Sequence, residues 1–366
     1  MIIPFLKSLL NPKLPFDHPY SQYSKLLDEI RNSSVGAQVF DLMKADKHQK
    51  ELPRFFRENM QKIYFACFVQ NLLIKHETEA LLQELDKLGI PAIPMKGTFL
   101  AERYFGHFAA RGTSDIDLLI QPEHMEAATQ CIQSKGYRTL LKVNPAHYHF
   151  EWVKDAPELP EPLLVELHWS LAPAGSSRMT MEHAWITSEP LDGYSHIRMM
   201  DTTYTFYALC LHGISHQMDS IRHALDLCLF IRLHAGTIGI QQMLERAEAD
   251  GTKQRVMTAL SITYQLFPEL SNELQLPFPM KYRYWNEAFI LDQSHGGSSY
   301  SPFIRTMFTV ASMDTWRFRF IHLFRIVFPT REIARYSVDD DDVPNTLLAV
   351  YYRLYKQRFR KMLGGV

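Results

Sequence analysis

Two aspartates two residues apart, Asp115 and Asp117, open the apolar run DIDLLI, and Glu166 interrupts a second such run, LLVELHW. In a strand, side chains at i and i+2 share a face, so Asp115 and Asp117 project together while Ile116 and Leu118 turn to a core. Two carboxylates that close repel each other and raise one pKa unless a cation lies between them. Magnesium suits such a pair, because it takes hard oxygen ligands and keeps waters for a substrate's phosphates; manganese is the alternative. A carboxylate inside LLVELHW costs several kcal/mol to bury unless it is paired or metal-bound. If that strand lies beside DIDLLI, Glu166 completes a three-carboxylate set of the kind used in two-metal chemistry. The competing readings are a solvated turn for the two aspartates and a buried ion pair from Glu166 to Lys96 or Arg111.

The residues around the carboxylates fit phosphate handling. Lys96-Gly97-Thr98 precedes a short helical stretch, FLAERYF, whose free N–H groups can receive phosphate oxygens. Arg111-Gly112-Thr113-Ser114 is polar and flexible and leads directly into Asp115. Lys96, Gly97, Thr98, Arg111 and Ser114 are therefore the candidate nucleotide-binding residues. Lys96 and Arg111 each have an equal alternative role as partner to an internal acid. His168 shares a strand face with Glu166, and His147 shares one with His149. His212 and His216, one helical turn apart, also share a face. His168, His212 and His216 are candidates to touch an acceptor or to support the carboxylates, with packing as the competing reading; two histidines alone are too few for zinc. No HExxH, Walker lysine loop or GxSxG elbow occurs.

These residues need elements to position them, and the hydrophobic period divides the chain in three. Residues 1–88 read as a helical region, with a helix over Asn59–Leu88 closed by Gly89 and packed against its neighbour. Residues 89–178 mix short strands (IPAIPM, IDLLI, HYHFEWV, LLVELHW) with the helix PEHMEAATQCIQSKG, which argues for an α/β or α+β core. Charged loops fall at residues 142–145 and 155–162. Residues 179–366 return to a helical period, with a looser stretch over 277–301, one helix near Phe303–Phe328, an acidic run at Asp339–Asp342 read as a solvated loop or helix start, and a basic, aromatic helix near Asn345–Leu363 read as a solvated face with aromatic anchors, contact with RNA or an acidic lipid surface being the alternative. The chain of 366 residues, 46% hydrophobic and 22% charged, has an ordinary globular composition. Its formal net charge of -1 gives no support for a nucleic-acid or acidic-membrane partner. Four scattered cysteines with no CxxC pair, no leader-like start and no long apolar run lead to the expectation of a cytoplasmic protein without a transmembrane segment.

The segment from Ile93 to Tyr137 resembles the core motif of an uncharacterised nucleotidyltransferase-like family within the polymerase-beta-type nucleotidyltransferase superfamily. The resemblance rests on Lys96-Gly97 before a helix, Arg111 ahead of Asp115-Ile116-Asp117, and Glu166-Leu167-His168-Trp169. It extends loosely to Cys210–Asp226. It implies an α+β, polymerase-beta-like core with a small mixed sheet between N- and C-terminal helical regions. It also implies a metal-dependent transfer of a nucleotidyl group from a nucleoside triphosphate to an acceptor, with pyrophosphate released. In that picture Asp115 and Asp117 hold the triphosphate's magnesium, and Glu166 shares a second ion and helps take the acceptor's proton. The acceptor is a small molecule, a peptide or a protein side chain. A catalytically silent nucleotide-binding scaffold and a magnesium-dependent phosphohydrolase are the alternatives. Like-charge repulsion leads to one further expectation: in metal-free buffer Asp117→Asn relieves strain and raises thermal stability.

Overall fold

The computed structural model describes residues 1–11, 13–14, 19–45, 51–139, 148–159, 161–294, 302–338 and 346–362. The loop at 142–145, His147 and the acidic run at 339–342 lie outside the described residues. The architecture is α+β: a small mixed sheet flanked by N- and C-terminal helical regions.

The long helix begins earlier than the hydrophobic period suggests. It runs over Arg54–Lys87, started by Pro53, which cannot continue a helix on its N-terminal side. Gly89 ends it in the left-handed conformation (φ +67°), and the amide of Ile90 closes the turn onto the Leu85 carbonyl at 2.9 Å. Five strands follow in the sheet: β1 (Ala92–Pro94), β2 (Asp115–Ile120), β3 (Arg138–Thr139), β4 (His149–Lys154) and β5 (Leu163–His168), arranged β1-β2-β5-β4-β3. The DIDLLI and LLVELH strands are adjacent and parallel, with Asp117 opposite Glu166. β4 runs antiparallel to β5, with Glu151 opposite Glu166 and His149 opposite His168.

This register separates the sheet into two chemically distinct faces. Ile116, Leu118, Ile120, Val165, Leu167 and Trp152 point one way and pack against the Arg54–Lys87 and Met125–Ser134 helices, through Leu81, Leu82, Leu85, Ala128 and Ile132. The alternating residues, all polar near the strand centres, point the other way. A second, larger core joins the N-terminal helices to the C-terminal ones: Ile2, Phe5, Leu26, Ile30, Phe56 and Met60 belong to the same cluster as Phe206, Phe230 and Ile262. The N-terminal region therefore packs on its neighbours, as its apolar period implies.

The helix anticipated over Phe303–Phe328 is two helices, Pro302–Ala311 and Trp316–Val327. The intervening Asp314 accepts a hydrogen bond from the Gln254 amide at 3.0 Å, and Thr315 caps the second helix by accepting from the Phe318 amide at 3.2 Å. Those side-chain contacts have no periodic signature.

The loop that delivers β2 is pinned from both helical regions. Asn71, on the long helix and fully buried, donates to the carbonyls of Phe108 and Arg111 (2.9 and 2.7 Å) and accepts from the Thr113 amide at 3.1 Å. Arg111 Nε donates to Asp226 Oδ2 at 2.8 Å, with both side chains only 3% exposed, and Gln38 Nε2 donates to Asp226 Oδ1 at 2.7 Å. Removing one partner strands a buried charge. Asp226→Ala is expected to lower unfolding stability by roughly 3–5 kcal/mol, measured by denaturant melts. A change within a few tenths of a kcal/mol would show that the pair does not anchor the loop.

Candidate functional site

The polar face of the sheet carries Asp115 and Asp117 from β2, Glu166 and His168 from β5, and His149 and Glu151 from β4. All share a face because strand parity alternates and neighbouring strands are in the register just described. Lys96 joins them because β1 runs antiparallel to β2: the Met95 amide bonds the Asp117 carbonyl at 3.0 Å, so residue 96 is delivered beside Asp117. Lys96 Nζ lies 2.9 Å from Asp117 Oδ1. His168 Nε2 lies 3.0 Å from Asp117 Oδ1 and 3.0 Å from Glu166 Oε2. Two oxygens each 3.0 Å from one nitrogen are at most about 6 Å apart, within the reach of a pair of metals separated by roughly 4 Å with ligand bonds of about 2 Å.

The charge balance follows from burial and these contacts. Burial pushes the Asp117 carboxyl up, but the Lys96 charge and the His168 hydrogen bond outweigh it and hold Asp117 well below the usual carboxylate range. Asp115 goes the other way, raised by burial and then by the charge of Asp117. Glu166 is lowered, because the His168 hydrogen bond overcomes its burial. Burial opposes protonation of His168 and Lys96, yet their acidic neighbours raise both. Lys96 and His168 thus stand among three acids. Asp117 Oδ2 and Thr98 Oγ1 remain buried without a hydrogen-bond partner among the described residues.

That unmatched oxygen and the three-carboxylate face suit a hard divalent cation. A nitrogen-bearing set overlaps it: one ligand atom each from His149, Glu166 and His168 lie within 4.8 Å of one another. This set shares Glu166 with the three-carboxylate one and adds two imidazoles, which suit a transition ion better than magnesium.

The other anticipated residues are distributed unevenly. Gly97 starts the Gly97–Phe105 helix at φ +73°, a left-handed conformation that disfavours any side chain, and Thr98 follows it in the first turn. Ser114 is exposed, its hydroxyl 3.4 Å from Asp115 Oδ1. Arg111 points into the interior onto Asp226 and does not line the cavity. His212 and His216 do line it. With His223 they form a ring cluster at centroid separations of 4.7, 5.3 and 5.2 Å. Burial, followed by the positive charge of Lys96, lowers the pKa of His212 and His216.

The cavity in front of this face has a volume of about 880 Å³. Its walls include Tyr148, Glu151 and Arg255, none of which the motif reading singled out. For His149 and Glu151 a signal exists: in HFEW the polar residues alternate with Phe150 and Trp152, as on a sheet with one wet face. Arg255 carries no such local signal, because helix packing alone brings it there.

The family described as uncharacterised nucleotidyltransferase matches residues 20–268. No curated protein matches the chain. Two solved structures of the antibiotic-resistance factor ANT(2'')-Ia are similar at 17% identity and a TM-score of 0.32, each covering 50% of this chain. One is a solution structure revealing substrate-regulated conformation dynamics, 91% of whose chain is covered; the other is a crystal structure in complex with adenylyl-2''-tobramycin, 96% covered.

The contacts of Asp117 reverse the stability expectation drawn from repulsion alone. With Lys96 and His168 already on this carboxylate, Asp117→Asn removes attraction and leaves Lys96 less compensated. In metal-free buffer the variant is expected to melt lower than the parent protein, by an amount equivalent to about 3 kcal/mol, the low end for breaking a buried pair. A variant melting higher than the parent would show that repulsion dominates the centre.

Proposed function

The chain belongs to the uncharacterised nucleotidyltransferase family, and on that premise we propose that it transfers a nucleoside monophosphate from a nucleoside triphosphate to an acceptor, releasing pyrophosphate. The observation that carries this reading is the convergence of Asp115, Asp117 and Glu166 on one sheet face, with Asp117 Oδ2 buried and left without a hydrogen-bond partner among the described residues. Asp115, Asp117 and Glu166 would hold magnesium or manganese. Such an ion, when bound, neutralises triphosphate charge and favours the attacking and leaving oxygens together.

The protein's own groups have distinct tasks in this scheme. The free amides at the start of the Gly97–Phe105 helix and the buried Thr98 hydroxyl offer donors to phosphate oxygens. Lys96, 2.9 Å from Asp117 here, would be free to meet the phosphates if a cation held the carboxylates in its place. The acceptor oxygen attacks the α-phosphorus, the bond from that phosphorus to the bridging oxygen breaks, and pyrophosphate carries away the electron pair. The acceptor's proton passes to a carboxylate on the same face. Glu166, with its lowered pKa, serves better as a ligand than as a base. His168 orients both Asp117 and Glu166 through one nitrogen. Arg111 acts only through the loop it anchors.

The test uses nucleoside triphosphates labelled on the α-phosphate, incubated with magnesium and a cell extract, with products followed by mass spectrometry. Label on a new product together with pyrophosphate is the expected result. Asp115→Asn should reduce it by at least about a hundredfold, more than loss of a residue that merely supports a metal ligand costs. Orthophosphate as the released product would instead make the chain a phosphohydrolase; nucleotide binding with no product at all would make it a silent scaffold.

A further inference from the structure

The cavity has two walls of opposite character. The sheet wall contains every acid that lines it, Asp115, Glu151 and Glu166, together with Lys96. The opposite wall is built by the C-terminal helices and the loop after β5, and no carboxylate of the described residues lines it. It carries Arg255 from the Lys253–Leu266 helix, Arg325 from the Trp316–Val327 helix and Arg358 from the Leu347–Met362 helix. Three different helices therefore bring a guanidinium to one surface.

Each guanidinium is held by neutral carbonyls. Arg255 Nη2 donates to the Ser176 carbonyl at 2.6 Å, Arg325 Nη1 to the Ala174 carbonyl, and Arg358 Nη1 to the Ile326 carbonyl at 2.5 Å. None of the three forms an ion pair with a carboxylate among the described residues. Gly175 lies under Arg325: a Cβ there would come within 3.1 Å of its Nη2 atom, so the loop is shaped to the guanidinium. Arg255 is buried, and its burial penalises the charge, which the nearby Asp314 only partly restores. The same wall also carries apolar side chains, Leu171, Leu211, Ile214, Met313 and Ile321. Carbonyls fix a guanidinium without cancelling its charge, so this wall presents a positive field among apolar side chains.

We propose that this helical wall is a subsite for an anionic group of the acceptor, which makes the acceptor an amphiphilic anion: an oxyanion, such as a phosphate or carboxylate, joined through an apolar body to the hydroxyl that attacks. The assignment rests on the nucleotidyl-transfer reading for calling the ligand an acceptor. Guanidinium groups suit oxyanions through paired N–H donors, and a cationic acceptor would meet uncompensated like charge on this wall.

The test is isothermal titration of the full-length protein at low ionic strength, in EDTA, with octyl phosphate and with octylammonium. The two probes share an apolar chain and differ in charge. Octyl phosphate is expected to bind at least about tenfold more tightly, and Arg325→Gln combined with Arg358→Gln should remove that preference while leaving the melting temperature nearly unchanged. If the double variant does not fold, Arg358→Gln alone carries the comparison, with a loss of about threefold or more. In a parallel titration without EDTA, a saturating complex of magnesium and a non-hydrolysable nucleotide analogue should leave octyl phosphate bound. Equal affinity for the two probes, an unchanged preference in the variants, or displacement by the nucleotide complex would overturn the assignment; displacement would give the arginines to the triphosphate. Because these are binding measurements, failure of the turnover assay leaves them standing, and their failure leaves the turnover assay standing.

Discussion

Three carboxylates crowded on one partly buried sheet face must be compensated by positive charge, and the surrounding structure is arranged around that requirement. Without a cation the compensation comes from Lys96, 2.9 Å from Asp117, and from His168, 3.0 Å from both Asp117 and Glu166. The shortage is visible in Asp115, whose pKa is raised by burial and by its neighbour Asp117. Desolvated acids of this kind are costly to keep for folding alone. The same arrangement becomes useful where a divalent ion and a polyphosphate have to be brought together.

The constraint reaches well beyond the sheet. β2 can present its acids only if the preceding loop is held still. That loop is tied to the long helix through Asn71 and to the C-terminal helices through Arg111, Asp226 and Gln38. Asp226 accepts from residues 38 and 111 at once, so it couples the N-terminal region, the sheet and the C-terminal helices at one buried point. The shared apolar core of the N- and C-terminal helices does the same on a larger scale. The helical regions thus set the geometry of the carboxylate face as well as enclosing it.

Much of this was legible in the sequence where a local rule applied. Period-2 parity put Asp115 and Asp117 on one face, and Glu166 inside an apolar run marked it as a residue needing a partner; both followed from strand geometry. The α+β class followed from the alternation of short strands and longer helical periods. What parity cannot supply is register. Pairing β1 antiparallel to β2 is what places Lys96 on Asp117, and pairing β4 with β5 brings in His149 and Glu151. Arg111 could equally face a phosphate or an internal acid, since its partner lies 115 residues away at Asp226. The split at Met313–Thr315 depends on a tertiary hydrogen bond to Gln254, and the arginine wall depends on how three helices pack. Neither leaves a periodic trace.

If the carboxylate face is a cation site whose metal-free form is held by Lys96 and His168, crystals grown with manganese and a non-hydrolysable nucleoside triphosphate analogue will show it. An anomalous peak is expected at about 2.1 Å from carboxylate oxygens of Asp115 and Asp117, with Lys96 withdrawn from Asp117 toward the phosphates. A bound nucleotide with no peak at these residues, and Lys96 still paired with Asp117, would contradict it.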